Sequence, residues 1–382
     1  MSIRNLCSFL VAAALLCPCF ILSALAQTEA EPEGAAKVKK VTARQVLEAT
    51  YAKTSAAETV DDFSEIIEQC ERVLGAKLTA ENSSYAHQLA AWGYNKRGEA
   101  YASQAAALAE QGEERKANEL DDVALADFES ALTHDPKKWK AIQNRGVSFA
   151  LRSRTEEAIA DFSKVIELNP KYDSAWFNRA QLHAKQGKFA EAAEDYEQAL
   201  QLKPDDIGAL LGRGNARLRL QKFRPALDDF DRTLQIESDN PQALVGRGDV
   251  RAEIGQWEEA AEDYRQAIKQ SPKLGRAYRG VAWLMATCPE ERFRNAELAV
   301  ASARQALTLD GNGDYAYLDT LAAALASAGE FEDAKETQEK AIQIAPDAKG
   351  SELRARLNLY KSGQPFRTTS RTARGEDTES QR

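Results

Sequence analysis

The sequence predicts an all-α fold: a superhelical solenoid of about seven to eight helix-turn-helix units, ending in a C-terminal capping helix. Three observations predict it. The middle of the chain repeats itself every 34 residues, and a fixed period of this length marks a stacked-repeat architecture. Within each repeat the apolar residues recur at helical spacing. Prolines stand where one repeat gives way to the next, and a helix cannot run on through them.

The clearest units are residues 139–172, 173–206, 207–240 and 241–274. Aligned, they form columns. The fourth place holds Ile142, Trp176, Leu210 and Leu244; the eighth holds Gly146, Ala180, Gly214 and Gly248. The twentieth holds Ala158, Ala192, Ala226 and Ala260, and the twenty-fourth Phe162, Tyr196, Phe230 and Tyr264. Pro170, Pro204 and Pro272 close three units; in the remaining one Ser238 takes that place and Pro241 follows. Small residues let two helix axes approach, and the aromatic fills the gap beneath them. A single hairpin cannot bury its apolar face, but stacked neighbours bury it together. These columns closely resemble the tetratricopeptide repeat. The resemblance spans roughly Leu47 to Pro346 and implies paired antiparallel helices whose first members line a groove for extended peptides or helices.

The outer elements follow in order. The chain opens MSIRNLCSFLVAAALLCPCFILSALAQ, with Arg4 the only charged side chain before Glu29. A positive charge, an apolar run and the small residues of Ala24-Leu25-Ala26 read as a secretory signal peptide over residues 1–26, cut after Ala26. An uncleaved anchor fits less well, because Cys17-Pro18-Cys19 interrupts the run. Leu16 and Pro18 precede these cysteines, where lipid attachment would need a small residue. Residues 27–42 read as a polar linker. Looser units follow at 47–90 and 91–138. The second is 14 residues too long, and its Ala-, Gln- and Glu-rich surplus at Gln104–Asn118 suits lengthened helices. Two more loose units span 275–314, with extra turn residues around Cys288–Arg294, and 315–348. A cap spans 349–362, with Leu353, Leu357 and Tyr360 on one face. The tail at 363–382 is polar and aperiodic, so disorder is expected there.

The formal charge is −9, and loss of residues 1–26 would leave the chain more acidic. Such a balance makes neither nucleic acid nor an anionic membrane a default partner. No later stretch is apolar enough to span a bilayer, so no stable membrane insertion is expected after cleavage. The expected location is outside the cytoplasm, periplasmic or secreted. Of five cysteines, Cys70 and Cys288 lie beyond the signal peptide, too far apart in an elongated fold for an intramolecular disulfide.

The seventh place departs from the family's usual leucine. It is arginine in five units: Arg97, Arg145, Arg179, Arg213 and Arg247. The twenty-third place is aspartate in the same five: Asp127, Asp161, Asp195, Asp229 and Asp263. In the last two units both columns change together, to Val281 with Ser302 and Leu321 with Thr337. The expected meaning is a structural ladder of arginine–aspartate pairs rather than an anion-binding stripe.

Catalytic machinery is not expected, nor any cofactor or metal. No HExxH, CxxC, GxSxG or phosphate-loop motif occurs, and His87, His134 and His183 fall in different units. His183 reads as a core filler. No fused catalytic domain is expected within the sequence to Arg382. By the resemblance, the groove would expose the second, fifth, sixth, ninth and thirteenth places of the first helices. The fifth holds Gln143, Phe177, Leu211, Val245 and Arg279; the sixth holds Asn144, Asn178, Gly212, Gly246 and Gly280. Phe177, Leu211 and Val245 either form an apolar groove patch or pack on a neighbouring helix. Arg276 and Trp283 extend the surface. Asn144 and Asn178 match a carboxylate clamp, but Gly208 and Gly212 leave it incomplete. The expected function is a non-enzymatic scaffold or adaptor that binds another protein or peptide. The alternatives are a periplasmic folding or assembly chaperone and the substrate-recognition subunit of a separate enzyme.

Overall fold

The computed structural model describes residues 41–311 and 313–369. The signal peptide expected at 1–26, the linker residues 27–40, Asn312 and tail residues 370–382 lie outside the described residues. Among the described residues there are seventeen α-helices and no strand. The chain divides after Pro170 into two compact units. The first holds α1 (Ala43–Lys53), α2 (Val60–Leu74), α3 (Ala80–Glu110), α4 (Glu114–His134), α5 (Trp139–Leu151) and α6 (Thr155–Leu168). The second holds α7 (Asp173–Lys185), α8 (Phe189–Leu202), α9 (Ile207–Arg219), α10 (Phe223–Ile236), α11 (Pro241–Glu253) and α12 (Trp257–Gln270). It continues with α13 (Gly275–Thr287), α14 (Ala296–Asp310), α15 (Tyr315–Ser327), α16 (Phe331–Ile344) and α17 (Gly350–Lys361).

Local chemistry sets the ends of several helices. Thr42 and Thr59 form capping boxes with Gln45 and Asp62 at the starts of α1 and α2, each satisfying amide groups that a helix start leaves unbonded. Asn240 caps α11 through its side chain, with Pro241 in the first turn. Turns inside the hairpins need a left-handed residue at the fifteenth place of the repeat. Glycine supplies it at Gly187 (φ 76°) and Gly255 (φ 83°), but Ser153 (φ 59°) and Gln221 (φ 61°) adopt it without that freedom.

Within the second unit each even helix packs on the odd helices before and after it, and successive odd helices from α7 to α15 touch one another. Odd helices therefore make one layer and even helices the other. The core between them is built from the repeat columns. A β-carbon on Gly214 or Gly248 would come within 3.0 Å of the ring of its own repeat, Phe230 or Tyr264. A β-carbon on Gly212, Gly246 or Gly280 would collide with the ring of the preceding repeat: Tyr196, Phe230 and Tyr264 respectively. The aromatic side chains Phe230 and Tyr264 each lie between two glycines, one from their own repeat and one from the next. That contact joins successive hairpins.

Two expected boundaries move. The first hairpin, α1–α2, closes at Leu74 rather than near residue 90, because Thr79 caps a new helix. Residues 80–90 belong to the 31-residue α3, and the surplus around Gln104–Asn118 lengthens α3 and α4 apart from a turn at Gln111–Glu113. Part of the expected disordered tail is also ordered: Phe366 packs with Trp283 and Thr368 bonds to the backbone of Thr287.

Candidate functional site

All five arginine–aspartate pairs form, each between the two helices of one hairpin. Arg97 reaches Asp127 through Nε and Nη2, both at 2.8 Å. Arg145 and Arg179 reach Asp161 and Asp195 in the same two-pronged way at 2.7–2.8 Å. Arg213 and Arg247 hold Asp229 and Asp263 with closest approaches of 2.6 and 2.7 Å. The aspartates are buried. The pairing is not one for one. Asp229 also takes Arg217 at 2.8 Å and Asp263 takes Arg251 at 2.7 Å. Glu197 of the preceding repeat meets Arg213 and Arg217, and Asp231 meets Arg247. These charges are tied down inside the stack, which removes them from the inventory for ligands.

The apolar groove patch does not exist. Leu211 and Val245 are 2% and 0% exposed. Leu211 shares a core cluster with Phe230 and Ala243, and Val245 one with Tyr264 and Ala277. Phe177 sits edge-on to Tyr196 at 5.8 Å. The fifth place thus fills the seam between repeats, with the ring of the twenty-fourth place beneath it. Gln143 and Asn178 are buried too. Asn144 donates from Nδ2 to Asn95 and Glu99 of α3. The sixth-place glycines give no room to a peptide, because aromatic rings occupy the space.

Arg276, Arg279 and Trp283 do reach one surface, on the odd-helix layer from α9 to α15. Arg276 Nη2 donates to Asp249 Oδ2 at 2.8 Å and to Asn215 Oδ1 at 3.0 Å. Asn215 lies on α9 and Arg276 on α13, two repeats apart, so one arginine side chain bridges across α11. Tyr264 donates its hydroxyl to Asp249 at 2.8 Å. Burial, and then Asp249, push the Tyr264 hydroxyl well above its ordinary pKa. Burial opposes the Arg276 charge, but Asp249 outweighs it and raises the pKa. Arg279 lies 5.7 Å over the Tyr317 ring and makes no ion pair among the described residues. Tyr317 in turn donates to Asp310, and burial followed by that bond raises its pKa. Trp283, Phe366 and the Arg356 guanidinium lie mutually within 5.3–5.8 Å.

Asn215, Asp249 and Tyr317 escaped the reading of the sequence. The signal for the first two was the ninth place, which holds Gln181, Asn215, Asp249 and Trp283; at the fifth place, by contrast, Gln143, Leu211 and Val245 are buried. The histidines hold a second surprise. His87 at the start of α3 and His134 at the end of α4 meet Nδ1 to Nδ1 at 2.9 Å, and His134 Nε2 lies 2.9 Å from Glu71. Tyr94 stacks on His134 at 5.5 Å. His183 is half-buried near Asp195, and burial lowers its pKa. Cys70 and Cys288 are buried free thiols, with Cys70 pushed up to about 12 by burial. Among the described residues no cluster of histidine, cysteine and carboxylate side chains could hold a metal ion, and no helix is long and apolar enough to cross a membrane.

Comparison with known proteins gives the same architecture. Four models described as tetratricopeptide or TPR repeats match residues 146–187, 174–206, 211–274 and 315–348. No curated protein matches the chain. Among solved structures, a tetratricopeptide repeat protein from Parabacteroides merdae is 19% identical with a TM-score of 0.52, covering 69% of this chain and 98% of that one. The Cut9-Hcn1 hetero-tetramer of the APC/C is 14% identical with a TM-score of 0.52, covering 82% of this chain and 55% of that one. Likeness at this identity carries the fold alone. Fold, columns and repeat models agree, and the chain belongs to the tetratricopeptide-repeat family.

Proposed function

We propose that this protein is a non-enzymatic adaptor that binds another polypeptide on the inner face of α9–α15, outside the cytoplasm. The observation that carries the binding surface is the Asn215–Arg276–Asp249 bridge across α11, with Arg279 beside it. These groups are partly open and can exchange internal hydrogen bonds for those of a peptide backbone or a carboxylate. The burial of Leu211 and Val245 favours an adaptor over a chaperone, since no broad apolar groove remains for unfolded chains. Export rests on the pattern of residues 1–26. N-terminal sequencing of native protein should begin at Gln27; a sequence beginning at Met1 would sink that part.

The binding surface is tested by a photo-crosslinking residue placed at Gln242 on the inner layer or at Glu259 on the exposed side of α12. A single partner band in the native envelope extract is expected from position 242 only. Crosslinking from 259 alone would move the interface to the even helices.

A further inference from the structure

The chain folds one of its own segments onto the inner face. After α17 it turns at Gly363 (φ 68°) and runs back over the odd-helix layer. Phe366 packs with the α15 cluster of Ala322, Leu325 and Ala326, and its ring lies 5.8 Å from Trp283. Arg356 spans both rings, 5.6 Å from Trp283 and 5.3 Å from Phe366. Thr368 donates its amide to Thr287 O at 2.9 Å, and Arg367 Nη1 donates to Ala286 O at 2.9 Å. Those carbonyls close α13, where a helix leaves acceptors unbonded and favours a cation. Trp283 holds the place in its repeat that Asn215 and Asp249 hold in theirs, so segment and bridge share one surface.

Arg367 has an uncommon setting. Its guanidinium is half-buried against carbonyl oxygens, and burial, with Arg294 nearby, lowers its pKa. Arg294 itself donates to the carbonyls of Cys288 and Pro289. The extra turn residues after α13 therefore present a second arginine at the same helix end. Backbone acceptors rather than a carboxylate receive the segment, so its recognition is that of a peptide: an aromatic side chain against both Trp283 and Arg356, an amide on Thr287, and an arginine on Ala286.

We propose that the surface formed by Trp283, Arg356, Ala286 and Thr287 is a docking site for an extended peptide bearing an aromatic residue followed by arginine, and that Gln364–Thr369 is its tethered occupant, which a partner segment of the same chemistry must displace. It rests on the reading of the inner face as a polypeptide-binding surface and adds the chemistry of the ligand and an internal competitor. A tether this short holds the segment at an effective concentration on the order of millimolar, so external peptides bind only as far as the segment lets go.

The test uses the full chain and a labelled, acetylated peptide of sequence Gln-Pro-Phe-Arg-Thr-Thr. Phe366→Asp should release the tethered segment, and the peptide should bind that variant at least about tenfold more tightly than the unaltered chain. Replacing the phenylalanine of the peptide by alanine should abolish binding. Equal affinity for both chains, or no binding to a variant of unchanged helicity, overturns the proposal. If Phe366→Asp disturbs α15–α17, amide exchange in the unaltered chain decides: millimolar peptide should speed exchange across residues 364–369, and unchanged exchange overturns it. A partner that still crosslinks at position 242 when the peptide fails would leave the adaptor reading standing; peptide binding without such a partner would do the reverse.

Discussion

The central repeats and the last one solve the same problem with opposite polarity. From α7 to α12 an arginine on the first helix grips a buried aspartate on the second, with a ring of phenylalanine or tyrosine closing the seam to the next repeat. In the last hairpin the acid moves to the first helix as Asp319. Gln338, standing where the ring should be, donates to Asp319 at 2.8 Å, and Arg356 of α17 pairs with Asp319 at 2.8 Å. Burial pushes the Asp319 carboxyl up, while Arg356 and Gln338 pull the other way. The central pairs are internal to a hairpin and repeat; the terminal one ties the cap to the stack and occurs once. Where the seventh place loses its arginine, Val281 and Leu321 join apolar clusters. Arginines of the terminal stretch, Arg276, Arg279 and Arg367, face the inner layer instead.

Removing the acid from a central pair should have the largest effect. Asp229 serves both Arg213 and Arg217, so Asp229→Ala leaves the two cations sharing the single Glu197 carboxylate and should destabilise by about 3 kcal/mol, read as a lower urea midpoint. A loss under about 1 kcal/mol would make the ladder a surface ornament. Next comes the seam. Gly246→Ala pushes a methyl group into the Phe230 ring, and overpacking of this kind costs about 1–3 kcal/mol. Alanine at Gly313, where a β-carbon would meet nothing within 4 Å, should change little. Equal effects at both positions would break the ring-and-glycine account.

The ladder was legible in the sequence because both of its columns changed together along the chain. The helices were legible because their period is long and repeated. The binding surface was read one step out of register. At the fifth place Leu211 and Val245 look like exposed anchors to anyone counting repeat positions, but burial depends on the ring and the next helix, which belong to other parts of the sequence. The ninth-place residues Asn215 and Asp249 carried no apolar pattern and were passed over. His87 and His134 lie 47 residues apart and meet only because α3 is long enough to bring its start to the end of α4.

Coupling and backbone strain give smaller effects. In a double-mutant cycle of Arg179→Leu with Asp195→Ser, the pair should couple by about 0.5–3 kcal/mol; additive losses would remove that rung. Gln221 holds a left-handed conformation that favours glycine, so Gln221→Gly should stabilise by about 1 kcal/mol. The same substitution at Gln256, outside the fifteenth place, should not. A loss of stability at Gln221 would show that its side chain does more than strain the turn.

Arg279 separates the two regions most directly, because it faces the inner layer of the terminal repeats and makes no ion pair among the described residues. With the partner found by crosslinking at position 242, thermal unfolding and affinity are measured for Arg279→Glu beside Arg179→Glu. Arg279→Glu should weaken partner binding by at least about tenfold, roughly 1.4 kcal/mol, with its unfolding midpoint nearly unchanged. Arg179→Glu should lower the midpoint strongly, and its folded fraction should bind as before. If Arg279→Glu instead lowers the midpoint strongly while its folded fraction binds as before, the terminal arginines are structural and the inner-face account is wrong.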